Sequence, residues 1–353
     1  MEPVEPVEPQ PSGALAPAEV QKAAAVARRI EENIKSAVKV RDEVLEHVVV
    51  AMLAEGHILV EDYPGVGKTA LARALSRSID SQFARIQCTA DLLPADIVGT
   101  NVYNQREQRF EFRPGPIFAN IVIVDEVNRA SPKTQSGLLE CMQERMVTVD
   151  VHSHELARPF LVFATQNPVE YEGTYPLPEA QVDRFMVRLE LGYPSAAEEA
   201  GMLAGHESGD RVLDLQPVAD RAEVLECQDA ARRVHASKAL RDYIVALLHH
   251  TRNDHRVELG ASPRAGLMLL RAAKARALVQ GRDHALPDDV QALADSVLAH
   301  RLLLGPGAGG DERAAVAVWA ASTSASSATG STSRTRSPSA WSCSISASWS
   351  AVG

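Results

Sequence analysis

A glycine-rich loop contains the residues with the clearest chemical meaning. The run DYPGVGKT occupies residues 62–69, after a short apolar segment and before a segment with helical spacing. Glycines let backbone N–H groups turn toward phosphate oxygens, and the N-terminus of a helix adds partial positive charge. The ammonium of Lys68 would then reach the β- and γ-phosphates of a nucleotide, and the hydroxyl of Thr69 would ligate Mg²⁺. The residues predicted to bind the nucleotide are Asp62, Tyr63, Pro64, Gly65, Val66, Gly67, Lys68, Thr69 and Ala70.

The first position of this loop departs from the usual pattern, which has Gly where the chain has Asp62. The signal therefore comes from the last five residues, GVGKT. The alternative is a glycine-rich turn followed by a surface lysine. The strand predicted before the loop and the helix predicted after it favour phosphate binding instead.

Two adjacent carboxylates follow a second apolar run. Residues 121–124 read IVIV and lead directly into Asp125 and Glu126. Carboxylates at the end of a buried strand are costly unless they face a cation or water at the edge of the sheet. Asp125 would hold Mg²⁺ through its water shell, and Glu126 would polarise the water that attacks the γ-phosphate. An acidic helix cap is the alternative interpretation of this pair.

Three further polar residues occur where nucleotide chemistry could use them. Asn167 follows the apolar run 160–164 and could orient the attacking water, although an Asn-Pro turn is the simpler interpretation. Arg184 lies before another strand and could reach a neighbouring subunit's γ-phosphate. Arg264 occupies the first turn of a predicted helix, where the helix dipole disfavours a cation. This position indicates that Arg264 has an anionic partner, for which a phosphate is one candidate. For Arg184 the alternative is a structural role of its segment, in which Asp183 forms a salt bridge with a nearby arginine. For Arg264 the alternative is an ordinary contact with a surface carboxylate.

Hydrophobic periodicity places these residues on an α/β fold with a parallel sheet. Helical spacing begins at Ala18 and is followed by alternating strands and helices. The predicted strands are residues 57–61, 85–88, 121–124, 160–164 and 186–189. After Pro194 the pattern becomes helical, which predicts a separate all-helical domain.

The chain therefore divides into four predicted parts. Residues 1–17 contain a PVEPVEP repeat and are predicted to be disordered, because they cannot bury enough apolar surface to offset the entropy of ordering. Residues 18–195 form the α/β core and residues 196–304 the helical domain. Residues 305–353 are a Gly/Ser-rich tail; beyond residue 321 it has no lysine or acidic residue, which predicts disorder or a shifted reading frame.

Composition excludes several classes of protein. No unbroken apolar run exceeds eight residues, whereas a membrane helix needs about 20. The four cysteines are widely spaced without a CxxC pair, which argues against a zinc knuckle or a disulfide framework and favours a reducing cytoplasm. The formal charge of −10 argues against broad binding to nucleic acids.

Longer runs around these residues resemble the MoxR family of AAA+ ATPases. The resemblance rests on EDYPGVGKT, QCTADLLPADIVGT, IVIVDEVNRASPKTQSGLLECMQERMVTV, FATQNPVEYEGTYPLPEAQVDRF and GASPRA, and it covers residues 20–304. Asp62 is common in this family. The resemblance implies the sensor-1 role for Asn167, the arginine-finger role for Arg184 and the sensor-2 role for Arg264. It leaves open whether Arg264 acts on its own nucleotide or on a neighbour's.

The resemblance also implies an assembly and two inserts. MoxR proteins are expected to form a ring of identical subunits, typically a hexamer, that binds ATP and Mg²⁺. Residues 90–118 would form the helix-2 insert of the family, and residues 146–159 the hairpin before sensor 1, with Val147, Val149 and Val151 on one face. Such inserts can line a central pore and move with the nucleotide state, although an ordinary packed hairpin is the alternative for both.

The function implied is ATP-driven, chaperone-like remodelling, in which hydrolysis matures or activates protein complexes. Partners with a von Willebrand factor A-type domain are expected. A nucleic-acid motor related to the MCM helicases is the first alternative; the negative charge and an insert without a basic, aromatic lining argue against it. A non-hydrolysing, nucleotide-gated adaptor is the second, and the intact pair Asp125 and Glu126 argues against it.

Overall fold

The computed structural model describes residues 15–150, 152–167, 173–193 and 211–305. Most of the predicted head and tail therefore lie outside the described residues. The elements of the first part of the chain are α1 (Pro17–Ala37), α2 (Asp42–Leu53), β1 (Ile58–Glu61), α3 (Lys68–Ser78), β2 (Phe83–Gln87), α4 (Pro94–Val98), β3 (Gly99–Asn104), β4 (Arg109–Pro114), β5 (Ile121–Asp125), α5 (Pro132–Glu144), β6 (Met146–Val149), β7 (His152–Glu155), β8 (Leu161–Gln166), α6 (Glu179–Val182) and β9 (Val187–Leu189).

Five parallel strands form the central sheet in the order β2-β5-β8-β1-β9. These are the five strands predicted from the sequence, with ends shifted by at most two residues. Their order places β1 and β5, which precede the loop and the acid pair, on either side of β8. Carboxyl ends of parallel strands meet at one edge of a sheet, so the predicted functional residues converge there.

Helices cover both faces of this sheet. The alternate residues Ile121 and Ile123 of β5 belong to an apolar cluster that also contains residues of α1, α2 and α3. Val122 and Val124 belong to a second cluster, which includes Leu138 of α5. Successive side chains of a strand point to opposite faces, so a strand buried on both sides must be apolar throughout. The uninterrupted IVIV run is explained in this way.

Two antiparallel hairpins project from the core. The first, β3 with β4, lies within the predicted insert 90–118 and pairs Tyr103 with Phe110. These two rings are 5.3 Å apart, and Phe110 is 70% exposed. The second hairpin, β6 with β7, falls within the predicted range 146–159. Val147 is buried and Val149 is half-buried, while Val151 lies outside the described residues.

The C-terminal part of the chain is a helical lid. Its elements are α7 (Arg211–Asp214), α8 (Arg221–Arg233), α9 (Lys238–Asn253), β10 (Val257–Leu259), α10 (Pro263–Val279), α11 (Pro287–Leu298) and β11 (Leu303–Leu304). The antiparallel pair β10–β11 was not predicted from the sequence. Strands of two and three residues are too short to show a two-residue period, and their pairing depends on residues about 45 positions apart. No helix within the described ranges combines the length and apolar content needed to cross a membrane.

A buried carboxylate ties the core to the lid. Glu55, at the end of α2, forms ion pairs with Arg145, Arg158 and Arg232. Arg271 of α10 donates to the backbone carbonyl of Glu55. Burial raises the pKa of the Glu55 carboxyl, but the arginines around it outweigh burial and hold the pKa below its usual value. The carboxylate is therefore charged at neutral pH and fixes the lid against the base of the second hairpin.

Candidate active site

The glycine-rich loop has a backbone conformation that only glycine adopts readily. Gly65 has φ +88° and Gly67 has φ +93°, both in the left-handed region. A Cβ atom at either position would meet no atom within 4 Å, so conformation rather than crowding requires glycine. Helix α3 begins directly after Gly67, and no side chain caps its N-terminus. The first N–H groups of this helix are thus available to an anion.

Lys68 is held at the start of α3, facing the sheet edge. Its ammonium donates to the backbone carbonyl of Asp62 at 2.5 Å, which folds the side chain back over the loop. Burial lowers the pKa of Lys68, while the carboxylates of Asp62, Asp125 and Glu126 act in the opposite direction. A phosphate group at this position would compensate for the desolvation of the ammonium, because charge-assisted hydrogen bonds are the strongest kind available to it.

Asp125 and Glu126 lie at the end of β5, close to the end of the neighbouring strand β8. The hydroxyl of Thr165 donates to Oδ1 of Asp125 at 3.3 Å and accepts from the backbone N–H of Glu126 at 3.0 Å. Glu126 has φ 56° and ψ 51°, a left-handed conformation that costs free energy for a residue with a side chain. This backbone turns the Glu126 carboxylate out of the line of the strand and toward the cleft.

Two residues of β2 contact these carboxylates, and the sequence analysis did not select them. Arg85 Nε lies 2.7 Å from Oδ2 of Asp125, and the side-chain amide of Gln87 donates to Glu126 at 3.0 Å. The strand register pairs Gln87 with Asp125. Arg85 and Gln87 are two residues apart in a predicted strand, so the sequence indicates that their side chains share one face of the sheet. Only the strand order reveals that β2 is adjacent to β5 and that this face meets the two carboxylates.

The structure brings most of the predicted residues to one cleft of about 330 Å³. The residues that line it are Pro64, Gly65, Gly67, Lys68, Thr69, Ala70, Arg85, Gln87, Asp125, Glu126, Thr165 and Asn167. Three predicted loop residues, Asp62, Tyr63 and Val66, are not among those that line it. Asp62 is buried and accepts from the N–H groups of Tyr63 and Gly192. Its carboxylate thus anchors the loop to the segment after β9.

Arg184 and Arg264 share a hydrogen-bond acceptor outside this cleft. Arg184 Nε and a terminal nitrogen of Arg264 both donate to Oε1 of Gln143, each at 3.2 Å. Gln143 lies near the end of α5, while Arg264 belongs to the first turn of α10 in the lid. The lining residues named above include neither arginine. Within the described ranges neither arginine forms an ion pair with a carboxylate, and the amide oxygen that they share is neutral, so it does not compensate their charge.

Comparison with known proteins identifies the family. A family model described as "ATPase family associated with various cellular activities (AAA)" matches residues 57–187, and another described as "AAA lid domain" matches residues 249–318. The Mycobacterium tuberculosis protein named Chaperone MoxR1 is 41% identical over 281 residues, covering 77% of this chain and 74% of that protein. The chain belongs to the MoxR family of AAA+ ATPases.

Two further proteins are similar to this MoxR chain over most of its length. The protein named "Uncharacterized protein YeaC" of Bacillus subtilis is 52% identical over 256 residues, covering 72% of this chain and 80% of that protein. The crystal structure of a proposed ATPase from Cytophaga hutchinsonii superposes with a TM-score of 0.80 at 37% identity, covering 86% of this chain and 95% of that one. The predicted AAA+ core with a helical lid is thereby confirmed.

The cleft of this MoxR chain has a donor set that suits Mg²⁺. Within the described ranges, no group of three or more His, Cys, Asp or Glu side chains is arranged to hold a metal ion. The cleft instead contains the hydroxyl of Thr69 and the carboxylates of Asp125 and Glu126. Mg²⁺ prefers oxygen ligands and usually keeps several waters and substrate phosphates, so it needs few protein ligands. Thr69 and Asp125 fit that requirement.

Proposed function

We propose that this protein is a Mg²⁺-dependent ATPase that acts as an oligomeric ring and remodels other proteins. The observation that carries the proposal is the convergence of Lys68, Thr69, Asp125, Glu126 and Asn167 on one cleft from three separate segments of the chain. A phosphate-binding loop, a metal-binding carboxylate, a second carboxylate and a polar amide are the parts that phosphoryl transfer to water needs.

Each residue of the cleft has a distinct part in this proposal. The loop N–H groups and Lys68 bind the β- and γ-phosphates, and Thr69 and Asp125 hold Mg²⁺. A Mg²⁺ ion held there would supply positive charge against the charge that develops on the phosphate oxygens. Glu126 accepts a hydrogen bond from the attacking water and polarises it, while Asn167 orients that water. Arg85 pairs with the Asp125 carboxylate at 2.7 Å, and it would share that carboxylate with a bound cation.

The two arginines outside the cleft support an assembly. Arg184 and Arg264 both donate to Gln143, and neither is among the residues that line the cleft of their own subunit. In a ring, the cleft of one subunit would face this pair on the next. Arg184 would then act as an arginine finger in trans, and Arg264 would act on the same neighbouring nucleotide. A hexamer is the ring size that the family implies.

Chaperone-like remodelling is the work proposed for this ATPase. The name of the Mycobacterium tuberculosis relative includes the word chaperone, which supports that use. Hydrolysis would move the lid relative to the core and shift the hairpins against a client protein. The exposed rings of Tyr103 and Phe110, at the hairpin of the insert, are suited to grip an unfolded or flexible segment. A partner with a von Willebrand factor A-type domain and a cytoplasmic location remain predictions.

The same hairpin offers little support for a nucleic-acid motor. It does have exposed aromatic rings, whereas the expectation from the sequence was an insert without a lining that is both basic and aromatic. However, its Arg109 forms ion pairs with Glu107 and Glu111, which neutralise the charge that a phosphate backbone would require. Binding to single-stranded DNA that weakens steeply with salt would favour the motor over the chaperone.

The direct test of the proposed function combines turnover with assembly. We expect the purified full chain to release phosphate from ATP only when Mg²⁺ is present, and to change from small species to a ring when nucleotide is added. Phosphate release and light scattering measure the two effects. Samples with EDTA and samples with AMP are the controls. A chain that releases no phosphate and remains a monomer with ATP and Mg²⁺ would contradict the proposal.

Lys68→Ala should weaken nucleotide binding itself. Hydrogen bonds to charged groups contribute about 1.5–3 kcal/mol each, so the loss should weaken affinity for ATP roughly 10- to 150-fold. Titration with a fluorescent ATP analogue measures the dissociation constant. Lys238→Ala, which removes an exposed lysine of the lid that pairs with Asp242, is the matched control and should leave it unchanged. An unaltered dissociation constant for Lys68→Ala would rule out the proposed role of the loop.

A further inference from the structure

One arginine of the lid is almost completely buried against the segment that bears Arg184. Arg301 lies in the short 3-10 turn 299–301, directly after α11, and its side chain is 2% exposed. Burial lowers the pKa of its guanidinium to about 10, while the adjacent Asp183 carboxylate acts in the opposite direction. The group thus stays charged at neutral pH. A buried charge persists only when its partners satisfy it, so its contacts are informative.

The contacts of Arg301 bracket Arg184 on both sides. Its Nε donates to Oδ1 of Asp183 at 2.8 Å, and one terminal nitrogen donates to the backbone carbonyls of Asp183 and Phe185. The other terminal nitrogen donates to the carbonyl of Met186 at 3.3 Å. One planar guanidinium therefore fixes the backbone before and after Arg184. Hydrogen bonds from a planar guanidinium fix the positions of the backbone carbonyls more closely than an apolar contact would.

Asp183 also joins this arrangement to Arg264. The hydroxyl of Ser262 donates to the Asp183 carboxylate, 3.1 Å from either oxygen, and accepts from the N–H of Ala265 as the N-cap of α10. Arg264 is two residues beyond Ser262. The Asp183 carboxylate thus contacts two lid residues, Arg301 and Ser262. Asp183 also directly precedes Arg184 in the sequence.

We propose that Arg301 and Asp183 form a latch that positions Arg184 and Arg264 as one unit. Arg301 is a positioning residue, since it contacts the segment of Arg184 and does not contribute to the cleft. The latch makes the pair of arginines follow the lid of their own subunit. A lid movement driven by one nucleotide would thereby change the arginines presented to the next. This inference rests on the proposed action of Arg184 in trans.

The test uses rings made from two kinds of subunit. Arg301→Met alone should lose at least about tenfold in turnover, since an arginine finger contributes 10³–10⁵-fold when well placed. Its affinity for an ATP analogue should stay within about twofold of wild type, because no contact of Arg301 reaches the loop. Mixed in equal amounts with Glu126→Gln subunits, it should recover to about a quarter of wild-type turnover. Those partners cannot hydrolyse ATP but present Arg184 correctly.

Three comparisons make the outcome decisive. Arg301→Met mixed with Arg184→Ala should not recover, because both kinds of subunit fail to present the arginine. Arg282→Met is the matched control: it removes a lid arginine that pairs with the buried Asp289, and it should keep wild-type turnover. Arg301→Lys should recover part of the turnover. Ser262→Ala removes the other lid contact of the Asp183 carboxylate and is used in the same mixtures if Arg301→Met does not fold, as judged by thermal melting.

Failure of the latch and failure of the proposed function give different results. If Arg184→Ala recovers with Glu126→Gln partners but neither Arg301→Met nor Ser262→Ala does, the latch is wrong and the finger in trans stands. Wild-type turnover in folded Arg301→Met would also overturn the latch. If Arg184→Ala itself never recovers, action in trans is wrong, and the inference falls with it.

Discussion

Glu126→Gln should remove most ATP turnover while leaving ATP binding intact. The carboxylate is proposed to polarise the attacking water, and a positioned base contributes about 10²–10⁴-fold to a reaction rate. The amide is nearly the same size and its oxygen can still accept the bond from Gln87, so the cleft should keep its shape. The backbone bond to Thr165 is unaffected by this change. Steady-state phosphate release and titration with an ATP analogue separate the two effects.

The control for this prediction is an acid of similar chemistry far from the cleft. Glu226 forms an exposed ion pair with Lys22, so Glu226→Gln should turn over ATP as the wild type does. If Glu126→Gln retained turnover within about twofold of wild type, Glu126 would contribute none of the roughly hundredfold or more expected of a catalytic base. The non-hydrolysing adaptor would then be the better interpretation, provided that the wild type also turns over slowly.

Arg184→Ala should reduce turnover about as severely. Arginine fingers contribute about 10³–10⁵-fold in related phosphoryl transfers, and a comparable loss is expected here. Binding of ATP to the variant should be close to normal, because Arg184 lies at Gln143 and not in its own cleft. Turnover of the pure variant and of its mixtures with Glu126→Gln measures whether the arginine acts across a subunit boundary.

The mixing ratio gives this prediction a quantitative form. A site hydrolyses ATP only where an intact Glu126 meets an intact Arg184 from the next subunit, so equal random mixing should give about a quarter of wild-type turnover. Arg184→Lys retains the positive charge but loses the planar guanidinium, so its turnover should lie between that of Arg184→Ala and that of the wild type. Recovery no greater than the sum of the two pure variants would show that Arg184 does not act in trans.

Local sequence was sufficient to predict the elements that build the cleft. The loop 62–69 needs left-handed glycines before a helix, and the run before Asp125 needs apolar residues on both faces of its strand. Both requirements involve residues that are neighbours in sequence, so spacing alone reveals them. The five strands of the sheet were predicted for the same reason. The antiparallel pair β10–β11 was missed because both strands are short and lie far apart in sequence.

Only the tertiary structure decided which side chains share a contact. Arg85 approaches Asp125 because β2 is placed next to β5, and Arg184 of the core and Arg264 of the lid are brought together because both donate to Gln143 of α5. Arg301 is 118 residues from Asp183, and no motif in the sequence around Arg301 indicates that the two residues pair. The physical reason is that backbone conformation responds to neighbouring residues, whereas ion pairs and hydrogen bonds between side chains depend on which elements pack together. The sequence by itself determined a glycine-rich loop before a helix and an acidic strand end; packing determined how the arginines are placed around them.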